Sequence, residues 1–189
     1  NGVVVFQGPG TIRVNHSHFD TRGYPKPRVA RAQKILVIGN GVYGVMDHCI
    51  LDLYAASSVY FFNGAGPDQR GNYTWSQPTN FGRSNFFFIE DNVFNGYPSS
   101  SGLYETRLLD GWSAARAVVR FNSLHDCSGP EGHGTGHAGD NRGFRALEFY
   151  GNLATASPEA LSSPKGPNYK LVTIQSGGAL IWGNSAVNC

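Results

Sequence analysis

Phe87 to Phe94 reads FFIEDNVF, and the same arrangement, apolar-x-apolar-x-x-Asn-x-apolar, returns at Ala117 to Leu124 (AVVRFNSL), Leu147 to Ala154 (LEFYGNLA) and Ala179 to Ala186 (ALIWGNSA). Asparagine keeps one place in all four: Asn92, Asn122, Asn152 and Asn184 follow one another at intervals of 30, 30 and 32 residues. Self-similarity at a nearly fixed period marks a repeat architecture. Two looser copies precede these, Tyr43 to Ile50 (YGVMDHCI) with His48 in the asparagine place and Ile12 to Phe19 (IRVNHSHF) with Ser17 there. The step from His48 to Asn92 is longer, at 44 residues.

Stacking the six copies gives apolar columns. Three places before the anchor stand Val14, Val45, Ile89, Val119, Phe149 and Ile181, and five before stand Ile12, Tyr43, Phe87, Ala117, Leu147 and Ala179. Two places after it stand Phe19, Ile50, Phe94, Leu124, Ala154 and Ala186. Strand side chains alternate faces, so these columns point inward and the positions between them outward. The chain must turn near the anchor, where a stacked side-chain amide satisfies backbone groups that the turn leaves buried. A second apolar run per repeat, as in Lys34 to Ile38 and Tyr169 to Ile174, is followed by the glycine-rich turns Gly39-Asn40-Gly41 and Gly177-Gly178. The expectation is an all-β chain folded as a right-handed parallel β-helix of about six coils, roughly 29 Å long at the spacing of hydrogen-bonded strands. A β-sandwich would fit the composition but has no column register. Residues 1–189 form one domain in this reading, with a long loop around 63–82 and open ends that suggest a piece of a longer helix.

The composition agrees. The chain is rich in glycine (25) and phenylalanine (12) and carries a net charge of only +2, too small for bulk electrostatic binding of nucleic acid. No apolar stretch is long enough for a membrane-spanning helix. Cys49, Cys127 and Cys189 show no metal-ligand spacing. Cys127 and Cys189 fall two coils apart, roughly 10 Å at the strand spacing, so free thiols are expected.

With this asparagine ladder and alternating apolar pattern, the chain resembles the pectate-lyase-like superfamily of right-handed parallel β-helices over nearly its whole length. Val45 to Ile50 looks like the Asp-His segment of pectate lyases, without the preceding tryptophan, and Arg22 to Arg31 (RGYPKPRVAR) lacks the spacing of that family's Arg-x-Pro-x-x-Arg catalytic segment. Phe121 to Tyr150 is similar to a segment of secreted bacterial β-helix proteins. The resemblance implies a secreted or cell-surface location and a polysaccharide partner.

Two groups of residues carry candidate chemistry. The outward column two places before the anchor reads Asn15, Met46, Glu90, Arg120, Tyr150 and Trp182, with Glu148 at an outward position nearby. Aromatic faces pack on sugar rings and charged groups bond hydroxyls or carboxylates, so Glu90, Arg120, Glu148, Tyr150 and Trp182 are candidate substrate-binding residues. The second group lies on the glycine-rich stretch between two core strands, with Glu131, His133, His137, Asp140, Arg142 and Arg145. Elimination from a uronic acid needs a cation at the carboxylate, a base for the C5 proton and an acid for the leaving oxygen. Arg142 or Arg145 would serve first, with His133, His137 or Tyr150 for the proton transfers.

A glycosidase would instead pair two carboxylates among Glu90, Glu131, Asp140 and Glu148. The glycines between His133 and His137 argue against a helical zinc site, and no cofactor is expected. Calcium among Asp47, Glu90 and Asp91 is the one cation considered. His16, His18 and His48 lie at the turn and are read as structural. The leading expectation is an extracellular carbohydrate-active β-helix that binds an acidic or neutral polysaccharide along its outer sheet and cleaves it by β-elimination. The alternative is a structural solenoid of an adhesin, tail-spike or surface filament that associates end to end.

Overall fold

A computed structural model of the chain describes residues 2–21, 34–54, 57–61, 78–97, 106–133, 143–163, 170–175 and 177–189. The alternating runs form strands, three to a rung. The first rung holds β1 (Gly2–Phe6), β2 (Gly10–Asn15) and β3 (His18–Asp20), and the second β4 (Lys34–Ile38), β5 (Val42–Asp47) and β6 (Ile50–Tyr54). The third holds β7 (Ser57–Phe61), β8 (Phe87–Glu90) and β9 (Val93–Tyr97), and the fourth β10 (Arg107–Gly111), β11 (Ala115–Arg120) and β12 (Ser123–His125). Then follow β13 (Glu131–Gly132), β14 (Phe144–Tyr150) and β15 (Leu153–Thr155), and last β16 (Thr173–Ile174), β17 (Gly177–Trp182) and β18 (Ser185–Val187). Each strand pairs in parallel with its counterparts in the neighbouring rungs, giving sheets A, B and C in the order β1-β4-β7-β10-β13-β16, β2-β5-β8-β11-β14-β17 and β3-β6-β9-β12-β15-β18. This is a parallel β-solenoid. The helix described, α1 (Pro158–Leu161), is one turn capped by the Ser157 hydroxyl, and among the described residues no helix is long and apolar enough to cross a membrane.

The expected columns hold in the first rung and from the third onward. Ile89, Val119 and Phe149 pair in register on sheet B, as do Phe87, Ala117 and Leu147, and all six are fully buried in one continuous core. The second rung differs by one residue. There Gly44, Met46 and Leu51 enter the columns in place of Tyr43, Val45 and Ile50. Met46 and Leu51 are fully buried, whereas Ile50 is 45% exposed. Gly44 is required: at φ +136° its added Cβ would lie 1.9 Å from the Ile12 carbonyl oxygen of the rung beneath.

Each turn from sheet B to sheet C is made the same way. The residue before the anchor has positive φ in every rung: His16, His48, Asp91, Phe121, Gly151 and Gly183. The left-handed residue reverses the chain, and the anchor then ties the rungs together. Asn122 Oδ1 accepts the Asn92 backbone N–H at 3.0 Å, while its Nδ2 donates to the carbonyls of Ile89 and Arg120, both at 2.9 Å. Asn152 repeats this pattern one rung on. In the second rung Cys49, not His48, holds the ladder place: its N–H donates to Asn92 Oδ1 at 2.9 Å. Its thiol donates to the carbonyls of Val14 (3.7 Å) and Asp47 (3.3 Å), the places that the asparagine amide serves elsewhere. His48 is instead exposed and stacks on His16 with ring centroids 5.0 Å apart, so it does not take the asparagine place expected of it. All three cysteines are free thiols, Cys49 and Cys127 buried and Cys189 exposed.

Candidate functional site

The one-residue shift in the second rung changes the outward column of sheet B. It now reads Asn15, Asp47, Glu90, Arg120, Tyr150 and Trp182, with Met46 in the core and Asp47 in its stead. Parallel register sets neighbours in such a column about 5 Å apart, close enough for each to contact the next. Arg13 holds Asp47 by a two-pronged contact, Nε to Oδ1 at 3.0 Å and Nη2 to Oδ2 at 2.7 Å, and His48 Nδ1 adds a third at 2.9 Å. The Arg13 hydrogen bonds lower the Asp47 carboxyl to about 2, outweighing the upward push of burial. Further along, Arg120 donates from Nε to Glu90 Oε2 at 2.6 Å and from Nη1 to the Tyr150 hydroxyl at 2.8 Å. The Tyr150 and Trp182 rings stack at 4.0 Å between centroids.

That stacking orients the rings across the solenoid axis. One Tyr150 face lies on Trp182 and the Arg120 guanidinium stands 6.0 Å from its centroid, so Tyr150 presents an edge to solvent. Trp182, on the last described strand of sheet B, is 47% exposed.

The end of the long insertion lies over the same sheet. Phe86 is buried with Val118 and Ala146 and packs beside Phe81 and Phe88. Arg116 Nη1 donates to the Thr79 carbonyl at 2.6 Å, and the Gly82 N–H donates to Glu148 Oε1 at 2.7 Å. Glu148 faces outward as its parity requires, yet this cover buries it. Beside the cover runs a groove of about 590 Å³, lined by Tyr43, Val45, Ser84, Phe88, Glu90 and Arg120, with buried Phe86 behind it. Its size falls within the usual range for ligand sites.

His133 lies on sheet A, in a separate cluster. Asp110 receives Lys34 Nζ at 2.6 Å on Oδ2, with His133 Nδ1 at 2.5 Å and Trp112 Nε1 at 2.8 Å on Oδ1. Trp112 stacks on the imidazole at 4.4 Å. Glu131, one rung on from Asp110 in register, pairs with Arg107 and lies 3.7 Å from His133 Nε2. Burial pushes the Asp110 carboxyl up, but its bonds to His133 and Lys34 outweigh this and leave it below the ordinary carboxylate range. A carboxylate on Nδ1 fixes the orientation of an imidazole, an arrangement suited to proton transfer.

Arg145 is buried at the start of β14, in a register irregularity of sheet B. Five steps along the strand separate it from Tyr150, roughly 16 Å. Among the described residues, the catalytic candidates His133 and Arg145 therefore lie apart from the Arg120–Tyr150–Trp182 row. His137, Asp140 and Arg142 lie outside the described residues, as do Arg22 to Arg31 and most of the 63–82 loop. Among the described residues the calcium set Asp47, Glu90 and Asp91 does not converge, whereas His18, Asp20 and Asp52 do, with ligand atoms within 4.8 Å.

Sequence reasoning placed Asp47 in a calcium set and missed its pairing with Arg13, which depends on the second-rung register, and it missed the groove wall, which depends on where the insertion returns to sheet B. It missed Lys34, Arg107 and Asp110 because sheet A has no asparagine ladder to fix its pairing. Fold and sites together define the chain as a parallel β-solenoid with a grooved sheet and a separate buried acid-histidine cluster. Comparison with protein-family models, with curated proteins and with solved structures returns no match.

Proposed function

We propose that this chain is an extracellular carbohydrate-active β-helix that holds a polysaccharide along the outer face of sheet B. The observation that carries the reading is the groove itself, whose aromatic wall borders a hydrogen-bonded Glu90–Arg120–Tyr150 row that ends on exposed Trp182. Apolar ring faces and fixed polar groups are what sugar rings and their hydroxyls require. The resemblance to the pectate-lyase-like superfamily supports the same reading, along with a secreted or cell-surface location. Replacing both Arg120 and Trp182 by alanine is expected to weaken binding to the recognised glycan by about tenfold or more. Unchanged binding across a polysaccharide panel would remove sheet B from consideration.

The β-elimination expected of His133, His137, Arg142 and Arg145 needs a uronate held at the proton-transfer groups, and the His133–Asp110 cluster of sheet A lies apart from the sheet B groove, so the proposal is one of binding.

In a second reading, end-to-end association as a structural solenoid, a further rung or a second copy would cover Ile181, which occupies the inward column yet is 46% exposed at the last described rung.

A further inference from the structure

Glu90 and Arg120, the two charged residues that line the sheet B groove, already satisfy each other. From this we infer that the groove selects an uncharged polysaccharide over a uronate one; the inference rests on the glycan reading above.

Arg120 Nε and Nη2 both meet Glu90 Oε2 at 2.6 Å, and Nη1 donates to the Tyr150 hydroxyl. The guanidinium also stands 5.3 Å from the centroid of the Phe88 ring. Its main donors are thus directed along the sheet, into the column, and its charge is matched where it sits. One rung away, Asp47 is neutralised by Arg13 in the same manner. A uronate carboxylate entering the groove would have to displace Glu90 from Arg120 and then remain beside it. Like charges at that separation repel, and the displaced carboxylate would lose its hydrogen bonds.

The groove offers an uncharged ligand the uncharged polar groups of Thr11, Tyr43, Ser84 and Asn85, and the rings of Tyr43 and Phe88. These suit sugar hydroxyls and the apolar face of a pyranose without requiring a counter-charge. Glu90 is therefore a specificity-determining residue: it occupies the cation that an acidic glycan would need.

The test measures affinity of the whole chain for a panel of neutral polysaccharides (glucan, mannan, xylan and galactan) and for polygalacturonate, at low and high salt. Wild type, Glu90→Gln and the double variant Glu90→Gln/Arg120→Gln are compared, with equal thermal midpoints as the check on folding. Wild type is expected to bind a neutral member with little salt dependence, and polygalacturonate at least about tenfold more weakly. Glu90→Gln is expected to raise polygalacturonate affinity by about tenfold or more in a salt-sensitive manner, and the double variant to lose that gain. A wild type that prefers polygalacturonate, or a Glu90→Gln variant that gains nothing, overturns the inference and leaves the glycan reading standing. Binding to no member of either class overturns both.

Discussion

Asn122 ties three rungs together: its Oδ1 accepts the Asn92 N–H, its Nδ2 donates to the carbonyls of Ile89 and Arg120, and its own N–H donates to Asn152 Oδ1. Asn122→Ala strands at least two buried polar groups, each costing about 1 to 3 kcal/mol. The expected loss is therefore about 3 kcal/mol or more in equilibrium urea unfolding. Asn184, partly buried in the last described rung, provides the comparison. Asn184 is itself partly exposed, so water can take the place of its amide on replacement, and Asn184→Ala is expected to cost about 1 kcal/mol. Equal losses at the two positions would show that burial is not what gives the ladder its worth.

The same residues explain what was legible in the sequence. Four asparagines at near-constant spacing are readable because an amide alone among uncharged side chains offers an acceptor and two donors at once. Cys49 fills the place with a weak thiol donor and Ser17 with a hydroxyl bonded to the Asn15 carbonyl at 3.0 Å, neither of which announces a ladder. Around Cys49 both parities supply apolar residues, Val45 on one and Met46 on the other, so pattern alone put His48 in the asparagine place.

At the level of strands and sheets, the strongest link between β2 and β5 outside the backbone is the Arg13–Asp47 pair. Its contribution has a defined pH window. The Asp47 carboxyl lies at about 2 in the folded chain against an ordinary 3.8, so the folded state binds this proton less readily than the unfolded one. Stability from the pair is fully present above about pH 4 and is lost as pH falls through about 2. The urea midpoint of wild type is therefore expected to exceed that of Asp47→Asn above pH 4, with the gap closing toward pH 2. A gap that persists unchanged at the acid end would mean that the pair is not held in this way. The covering segment 78–86 shows the limit of reading elements from sequence. Its proline, one glycine and polar residues mark it as a loop, but nothing local says that Phe86 would lie on Val118 and Ala146 and that Gly82 would meet Glu148. That contact depends on which sheet faces the insertion, a consequence of the whole coil.

For the molecule as a whole, the solenoid principle that stabilises each interior rung leaves the terminal ones partly served. Every inner strand bonds on both edges, whereas β17 and β18 have no strand beyond them among the described residues. The columns they carry stay open: Ile181 is 46% exposed, against full burial of Phe149, Val119 and Ile89 behind it. Exposed strand edges combined with an uncovered apolar column form a template for further strands, which another rung or a second copy would cover. This leads to a prediction separate from the glycan reading. The chain is expected to increase in apparent mass with concentration on size exclusion with light scattering, and Ile181→Lys is expected to hold it at monomer size. A charge on that column would be desolvated in any stacked contact but remains hydrated in the free chain, so the substitution acts on association more than on folding. Unfolding midpoints of the two proteins at low concentration should then agree closely. If both stay monomeric throughout the concentration range, the last described rung tolerates water unaided, and the structural-filament reading loses its support.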